Sequence, residues 1–319
     1  MTGFTEYLPK EWIIMITEKT PVAKIMREAC QKRILIPAFN VAYVPMVRPI
    51  VDTLKATRTF GLVEVARPDV EKFGAQSFQR VAEEYYALAD RRFSRFHLDH
   101  IPVIDEDGLR VDWQSLIRAA LELRYDSVMI DGSRLPLEEN IAASREVVEL
   151  SHQKDVPVEA ELGAVLGHEE GPLPPYEELF RTGKGFTRIE EAERFVKETK
   201  VDWLSVAIGN VHGAISGAAK DKEKIFARLN IEHLKRLVEV TRVPLVLHGG
   251  SGIQKSYVMK AIQNGISKIN IGTSIRQAYE RCLAQDPDDI EAAQKKVALE
   301  MERLIKEEYE VEGSWDLLG

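Results

Sequence analysis

The chain is poor in cysteine. Cys30 and Cys282 are its two thiols, both in helix-like stretches and without CxxC spacing, so neither a disulfide framework nor a cysteine metal site is expected. Long hydrophobic runs are also missing. No apolar stretch approaches the ~20 residues of a membrane span, and no basic region followed by a hydrophobic one opens the chain. The expectation is a cytoplasmic protein with no membrane attachment. Positive charge is in deficit, with 43 Lys and Arg against 51 Asp and Glu and a formal charge of −8. That balance speaks against a nucleic-acid surface, which needs a basic patch. It leaves anionic small molecules open, because a cradle of backbone N–H groups binds phosphate whatever the net charge.

What is abundant is regular alternation. Residues 1–20 show no clear period and are read as an N-terminal extension. From Pro21, helical stretches alternate with short apolar runs that end near Phe39, Ala66, Asp99, Asp131, Glu161, Ile208, His248 and Ile271. Eight such units without a long linker predict one (β/α)8 TIM barrel over residues 21–319, including C-terminal helices near 274–285 and 288–310. The last helices, rich in alternating Glu and Lys, read as solvated faces.

A barrel concentrates its chemistry at the C-terminal ends of its strands. His100, His212 and His248 fall at or just beyond such ends. Three neutral imidazoles with an open fourth position describe a catalytic site for zinc or a similar divalent ion; the bland alternative is three unrelated polar histidines. Asp99 precedes the first of them and suits a general acid/base, or else a carboxylate that orients an imidazole. His97 points the same way as Asp99 and reads as support, His152 and His233 as helix-surface residues, and His168 as a loop residue. Glu159 and Glu161 share one face of strand 5, where a buried carboxylate needs a metal or a lysine. Gly213, the turn from Gly249 to Gly252 with Ser251, and the run from Asn270 through Thr273 to Ser274 suggest the phosphate site that barrels build after strands 7 and 8.

The set Asn210-Val-His-Gly213, His248-Gly-Gly-Ser-Gly252, Lys268-Ile-Asn-Ile-Gly-Thr273, Glu159-Ala-Glu-Leu-Gly163, Met129-Ile-Asp-Gly-Ser133 and His97-Leu-Asp-His100 resembles the motifs of the class II, metal-dependent ketose-bisphosphate aldolases. The resemblance runs from about Pro21 to Tyr279 in the family's order. It implies zinc held by His100, His212 and His248, with Glu161 as alternative or auxiliary ligand, and allows for a monovalent cation. It further implies Asp99 as the proton-transfer residue at the substrate C4 hydroxyl, and acidic loop residues Glu169 and Glu170 near the chemistry. Gly213, Gly249, Ser251, Asn270, Thr273 and Ser274 would surround the C1 phosphate of a ketose that is cleaved to dihydroxyacetone phosphate and an aldehyde. A homodimer or homotetramer is implied as well. Lys268 offers a rival, Schiff-base chemistry. A sugar-phosphate epimerase, or a metal-binding relative without turnover, would use the same fold.

Three places depart from that pattern. Ile101-Pro102 and the acidic loop Asp105-Glu-Asp-Gly108 stand where a helix usually follows directly. Glu64 and Ala66, followed by Arg67-Pro68, replace the usual glutamine and serine. Asn40-Val-Ala-Tyr-Val-Pro45 replaces an asparagine-rich turn. All three lie on the strand 1 to 3 side, so the expectation is a retained triose-phosphate half and an altered aldehyde half, with Arg67 a candidate for an anionic group there.

Overall fold

The computed structural model describes residues 16–163, 176–210, 228–250 and 253–318. Eight parallel strands close into a barrel in chain order: β1 (Ile36–Asn40), β2 (Gly61–Ala66), β3 (Ser94–Asp99), β4 (Ser127–Ile130), β5 (Val158–Leu162), β6 (Trp203–Val206), β7 (Leu245–Leu247) and β8 (Ile266–Ile271). The ring closes where Ala38 of β1 pairs with Asn270 of β8. Helix α1 (Val22–Lys32) precedes the first strand. The outer layer follows as α2 (Val47–Ala56), α3 (Arg67–Glu71), α4 (Phe78–Leu88), α5 (Trp113–Glu122), α6 (Leu137–His152), α7 (Tyr176–Thr182), α8 (Ile189–Thr199), α9 (Ile231–Thr241), α10 (Lys255–Gln263) and α11 (Thr273–Leu283). The chain closes with α12 (Ile290–Arg303) and α13 (Ser314–Leu318). Among the described residues, no helix is long and apolar enough to cross a membrane.

Strand side chains alternate between two environments, as a two-residue period dictates. Outward residues such as Phe39, Val63, Val65, Phe96 and Leu98 pack under the helices. Inward residues form storeys. The lowest is apolar: Ile36, Ala38, Phe60, Leu62, Trp203 and Val246, plugged from below by Ile25, Met26 and Ala29 of α1. The middle storey is ionic, with Glu64, His97, Glu159 and Lys268 all at 0% exposure. Asn40, Asp99, Glu161, His248 and Asn270 form the uppermost storey, at the mouth. At the base, the buried Arg95 donates to the carbonyls of Thr17 and Thr20 (2.9 and 2.8 Å), tying the segment before α1 beneath the barrel.

Helix starts follow from their capping residues. Ser77, Asp112, Asn230 and Asp289 each accept a hydrogen bond from the N–H three residues on, worth about 1 kcal/mol apiece. Arg67-Pro68, which follow β2 directly, begin α3. Pro68 suits the first turn of a helix, and Asp69 Oδ2 accepts the Ala66 N–H at 2.9 Å. The extra segment Ile101–Gly108 runs alongside the end of β4. Val103 N–H donates to the Asp131 carbonyl and Asp131 N–H to the Ile101 carbonyl, both at 2.9 Å. Its tip is held by Asp105, whose Oδ1 accepts the N–H groups of Asp107 and Leu109 at 3.1 and 2.8 Å.

The C-terminal helices are not merely solvated. Ala293, Val297 and Met301 of α12 are fully buried, so the Glu and Lys alternation decorates only the outer face. The segment leading into α13 is fastened to the base of the barrel: Gly313 N–H donates to Thr57, Trp315 N–H to Arg58, and the Arg58 guanidinium lies 4.7 Å from the centre of the Trp315 ring.

Candidate active site

Above the uppermost storey lies a cavity of about 510 Å³, the right size for a small metabolite. Two imidazoles converge on it. His100 Nε2 and His248 Nδ1 are 2.6 Å apart, with the rings tilted at 71°. Carboxylates close in around the pair: Asp131 Oδ2 is 3.5 Å from His100 Nδ1, and Glu161 Oε2 is 3.4 Å from His248 Nδ1. Asp99 lies beside both rings, its donor atom grouped with theirs inside 4.8 Å. A set of imidazole nitrogens and carboxylate oxygens fits zinc or a similar divalent ion. His100 adopts φ +30°, a left-handed turn that sends the chain from β3 across to the end of β4.

Asp99 is held in place by two amides. Asn40 Nδ2 donates to Oδ2 at 2.9 Å and Asn270 Nδ2 to Oδ1 at 2.8 Å. Burial opposes its charge, but the charges of His100 and Lys268 outweigh burial and hold the carboxyl below its usual value. It is therefore an ionised base poised at the cavity floor. Asp69, bonded to the same Asn40 at 3.4 Å, is pushed up to about 7 by burial, with the charge of Asp99 adding to it. Burial and the neighbouring Asp131 likewise push Glu161 up to about 8.

Behind His248 stands the ionic storey. His248 Nε2 meets Glu159 Oε1 at 2.8 Å, while Glu159 Oε2 accepts from Trp203 Nε1 at 2.6 Å and from Lys268 Nζ at 2.9 Å. A second carboxylate, Glu64 Oε2, lies 3.3 Å from the same ammonium. Burial and the His100 charge both push the His248 imidazole well below its usual value, so it is neutral and its Nδ1 faces the cavity as a lone pair. Burial opposes the Lys268 charge as well. Glu159 and Glu64 outweigh it, and the amine stays protonated. Paired on both sides and 0% exposed, Lys268 is not a free nucleophile.

Of the residues picked from sequence, His100, His248, Glu161, Asp99, Gly249, Asn270 and Thr273 line this one cavity. Ser274 does not line it, and its buried hydroxyl lacks a partner among the described residues. His212, Gly213, Ser251, Glu169, Glu170 and His168 lie outside the described residues. Free Cys30 and Cys282 are as expected. His233, expected on a helix surface, is instead half-buried, with Nε2 2.7 Å from the Thr187 carbonyl. Sequence reading missed Asp131 as a neighbour of His100, although its place at a strand end was the available signal. It also left open whether a metal or a lysine partners Glu159; a lysine does, as does His248. Arg67 lines the cavity but is already engaged: Nε donates to Glu71 at 2.7 Å and Nη1 to Asp105 at 3.2 Å.

Comparison with known proteins agrees with this architecture. The crystal structure of the YdjI aldolase from Escherichia coli K12 superposes with a TM-score of 0.72 at 27% identity, covering 92% of this chain and 98% of that one. A putative fructose-1,6-biphosphate aldolase from Coccidioides immitis shares the fold with a TM-score of 0.73 at 23% identity over 94% of this chain and 99% of that one. A 6-phospho-5-dehydro-2-deoxy-D-gluconate aldolase from Halalkalibacterium halodurans is 39% identical over 183 residues, a match spanning 57% of this chain and 54% of that relative. The model of the class II fructose-bisphosphate aldolases matches residues 20–316. With that match and this barrel, the chain belongs to the class II fructose-bisphosphate aldolase family.

Proposed function

We propose that the protein is a divalent-metal-dependent aldolase that reversibly cleaves a phosphorylated ketose, a 1-phosphate or a bisphosphate, into dihydroxyacetone phosphate and an aldehyde. The observation that carries this reading is the convergence of His100 Nε2 and His248 Nδ1 on one point beside Asp99, Asp131 and Glu161. His100, His212 and His248 hold zinc or a similar ion, with Glu161 as auxiliary ligand. The ion supplies Lewis-acid stabilisation of the negative charge that builds on the ketone oxygen. Asp99, ionised and aimed by Asn40 and Asn270, takes the proton of the hydroxyl whose carbon becomes the aldehyde. Glu169 and Glu170 are the acidic loop residues counted with the catalytic groups in this reading. Gly213, Gly249, Ser251, Asn270 and Thr273 surround the C1 phosphate, and a monovalent cation is a further candidate cofactor of the reaction. A cytoplasmic homodimer or homotetramer belongs to the same reading.

The alternative Schiff-base chemistry is disfavoured by the two carboxylates on Lys268. Removal of metal by a chelator is expected to abolish release of triose phosphate, and added zinc to restore it. Borohydride added during turnover is expected to trap no adduct. Cleavage undiminished in fully demetallated protein, or an adduct on Lys268, would sink the proposal. Turnover of the sugar phosphate without release of triose phosphate would point to epimerisation instead.

A further inference from the structure

Beside Asp99 stands a second carboxyl that the proposed chemistry leaves without a role. Asp69, in α3, lines the same cavity and is 7% exposed. Its Oδ2 accepts the Ala66 N–H at 2.9 Å and Asn40 Nδ2 at 3.4 Å. Its Oδ1 carries no bond among the described residues and is not one of the polar atoms sealed inside the protein, so it opens on the cavity. We infer that Asp69 reads the aldehyde half of the substrate through Oδ1, by a hydrogen bond with the hydroxyl on the carbon next to the one that becomes the aldehyde carbon. The inference rests on the aldolase reading above and adds to it a residue that sets acceptor specificity.

The amide nitrogen of Asn40 bonds both carboxyls, Asp99 Oδ2 at 2.9 Å and Asp69 Oδ2 at 3.4 Å, so the two groups stand side by side in the cavity wall. In the proposed reaction Asp99 takes the proton of the hydroxyl at the cleaved bond. Hydroxyl oxygens on neighbouring carbons are about as far apart as the two ends of a hydrogen bond. A ligand whose first hydroxyl rests on Asp99 therefore presents the next one toward a group a single amide away, which is where Asp69 stands. Ala66, the neighbouring lining residue at the end of β2, has only a methyl group to offer.

The chemistry of the carboxyl selects the class of group it meets. Burial pushes Asp69 up to about 7 and the Asp99 charge adds to that, while the Ala66 N–H, Asn40 and the Arg276 charge pull the other way. Near neutral pH the group is present both as the acid, which donates, and as the carboxylate, which accepts. A hydroxyl answers both forms, because it too donates and accepts. A methylene answers neither and leaves a desolvated carboxyl unpaired, the mismatch that separates hydroxylated substrates from their deoxy analogues. The position is also rigid. The Ala75 N–H donates to the Asp69 carbonyl at 3.3 Å, and ion pairs from Arg67 to Asp105 (3.2 Å) and from Lys72 to Glu106 (3.0 Å) bind α3 to the inserted Ile101–Gly108 segment. Held in this way, Asp69 does not have to be ordered when the ligand arrives.

The test runs the aldol addition with zinc-loaded protein and dihydroxyacetone phosphate as constant donor. The acceptors are D-glyceraldehyde, L-glyceraldehyde and 3-hydroxypropanal, which differs from the other two only in lacking the hydroxyl next to the aldehyde carbon. The better glyceraldehyde enantiomer is expected to exceed 3-hydroxypropanal in kcat/KM by about 10- to 100-fold, the worth of one hydrogen bond to an ionisable group. Asp69→Ala and Asp69→Ser withdraw the cavity-facing oxygen and are expected to bring that ratio down to about 3 or less, chiefly through loss with glyceraldehyde. Serine keeps an acceptor for the Ala66 N–H, so the outcome does not hang on the alanine variant folding. Asp69→Asn, whose amide fills the same space and still meets a hydroxyl, is expected to hold the ratio within about threefold of the parent. A parent protein that uses 3-hydroxypropanal as well as glyceraldehyde overturns the inference. An unchanged ratio in the alanine and serine variants overturns it too: if all three acceptors fall together, Asp69 is a brace for Asn40 and nothing more. Solvent deuterium exchange at the donor carbon, followed without any acceptor, separates the two levels of failure. Exchange together with an unchanged ratio defeats this inference alone. Lack of exchange defeats the aldolase reading, and this inference with it.

Discussion

The two flanks of the barrel mouth are built by different means. On the β7 and β8 flank, the cavity is lined by small residues and backbone: Gly249, Gly250, Gly272 and Thr273 beside Asn270. Space there is tight. A Cβ at position 250 would come within 2.7 Å of Ile269 Cδ1, and one at position 272 within 3.1 Å of Asn40 Oδ1. On the β2 and β3 flank the lining is long and charged, and paired ions hold α3 to an inserted loop. A backbone cradle recognises phosphate by shape and N–H groups, and side chains can hardly be changed where none exist. A wall of ion pairs can be rewritten one residue at a time. Under the proposed aldolase reaction, the difference suits one flank to a constant half of the substrate and the other to a variable half.

The comparison is tested most severely between the flanks, at Asp99. Asp99→Ala is expected to lower kcat by about 100- to 10,000-fold, the usual range for a lost acid/base group, with every acceptor affected alike. A loss confined to one acceptor would place Asp99 with the variable flank. Next in size is the support behind the imidazole. Glu159→Gln removes the carboxylate on His248 Nε2 and is expected to weaken zinc binding by about 10- to 100-fold in a chelator competition. Unchanged affinity would mean that the ionic storey supports the fold alone.

Gly250→Ala probes the tight flank. The added methyl meets Ile269, and a loss of about 1–3 kcal/mol in denaturant unfolding is expected, with the preference among acceptors unchanged. A change in acceptor preference would erase the division between the flanks. The smallest effect expected is one of pH. Asp69 has a folded-state value raised to about 7, so the native protein holds its proton more tightly than the unfolded chain does. Stability contributed by this group is present below about pH 4 and is lost as pH rises toward 7. Asp69→Asn is expected to flatten that decline, so that melting temperatures at pH 5 and pH 8 move closer together. An equal gap in variant and parent would show that Asp69 does not titrate this way.

The barrel was legible because parallel strands buried on both faces are continuous apolar runs, and the alternating helices leave few other arrangements. His100, His248, Asp99 and Glu161 were legible because polar residues at the ends of such runs have few structural reasons to be there. The departures on the β2 and β3 flank were legible too, but the ion pairs that build it were not. Arg67 finds Asp105 38 residues away, and Lys72 finds Glu106 at a separation of 34. Pairings of that kind are set by packing and leave no periodic trace. Helix α3 was hidden for a different reason: at five residues it is too short to show a period, and its Pro68 reads equally well as a turn. Lys268 stayed open as a Schiff-base rival because a sequence does not reveal that Glu64 and Glu159 reach it from two other strands.

The fastening of Gly313 and Trp315 to Thr57 and Arg58 lies at the opposite pole of the barrel from the reacting groups. Residues there can raise or lower the melting point without touching what the mouth accepts. Such a separation gives the molecule mutational headroom: the lower pole can absorb the destabilisation that comes with experiments in charge at the upper one. Drift toward a new specificity at the mouth is then tolerable before it is useful, which is a condition for specificity to evolve at all.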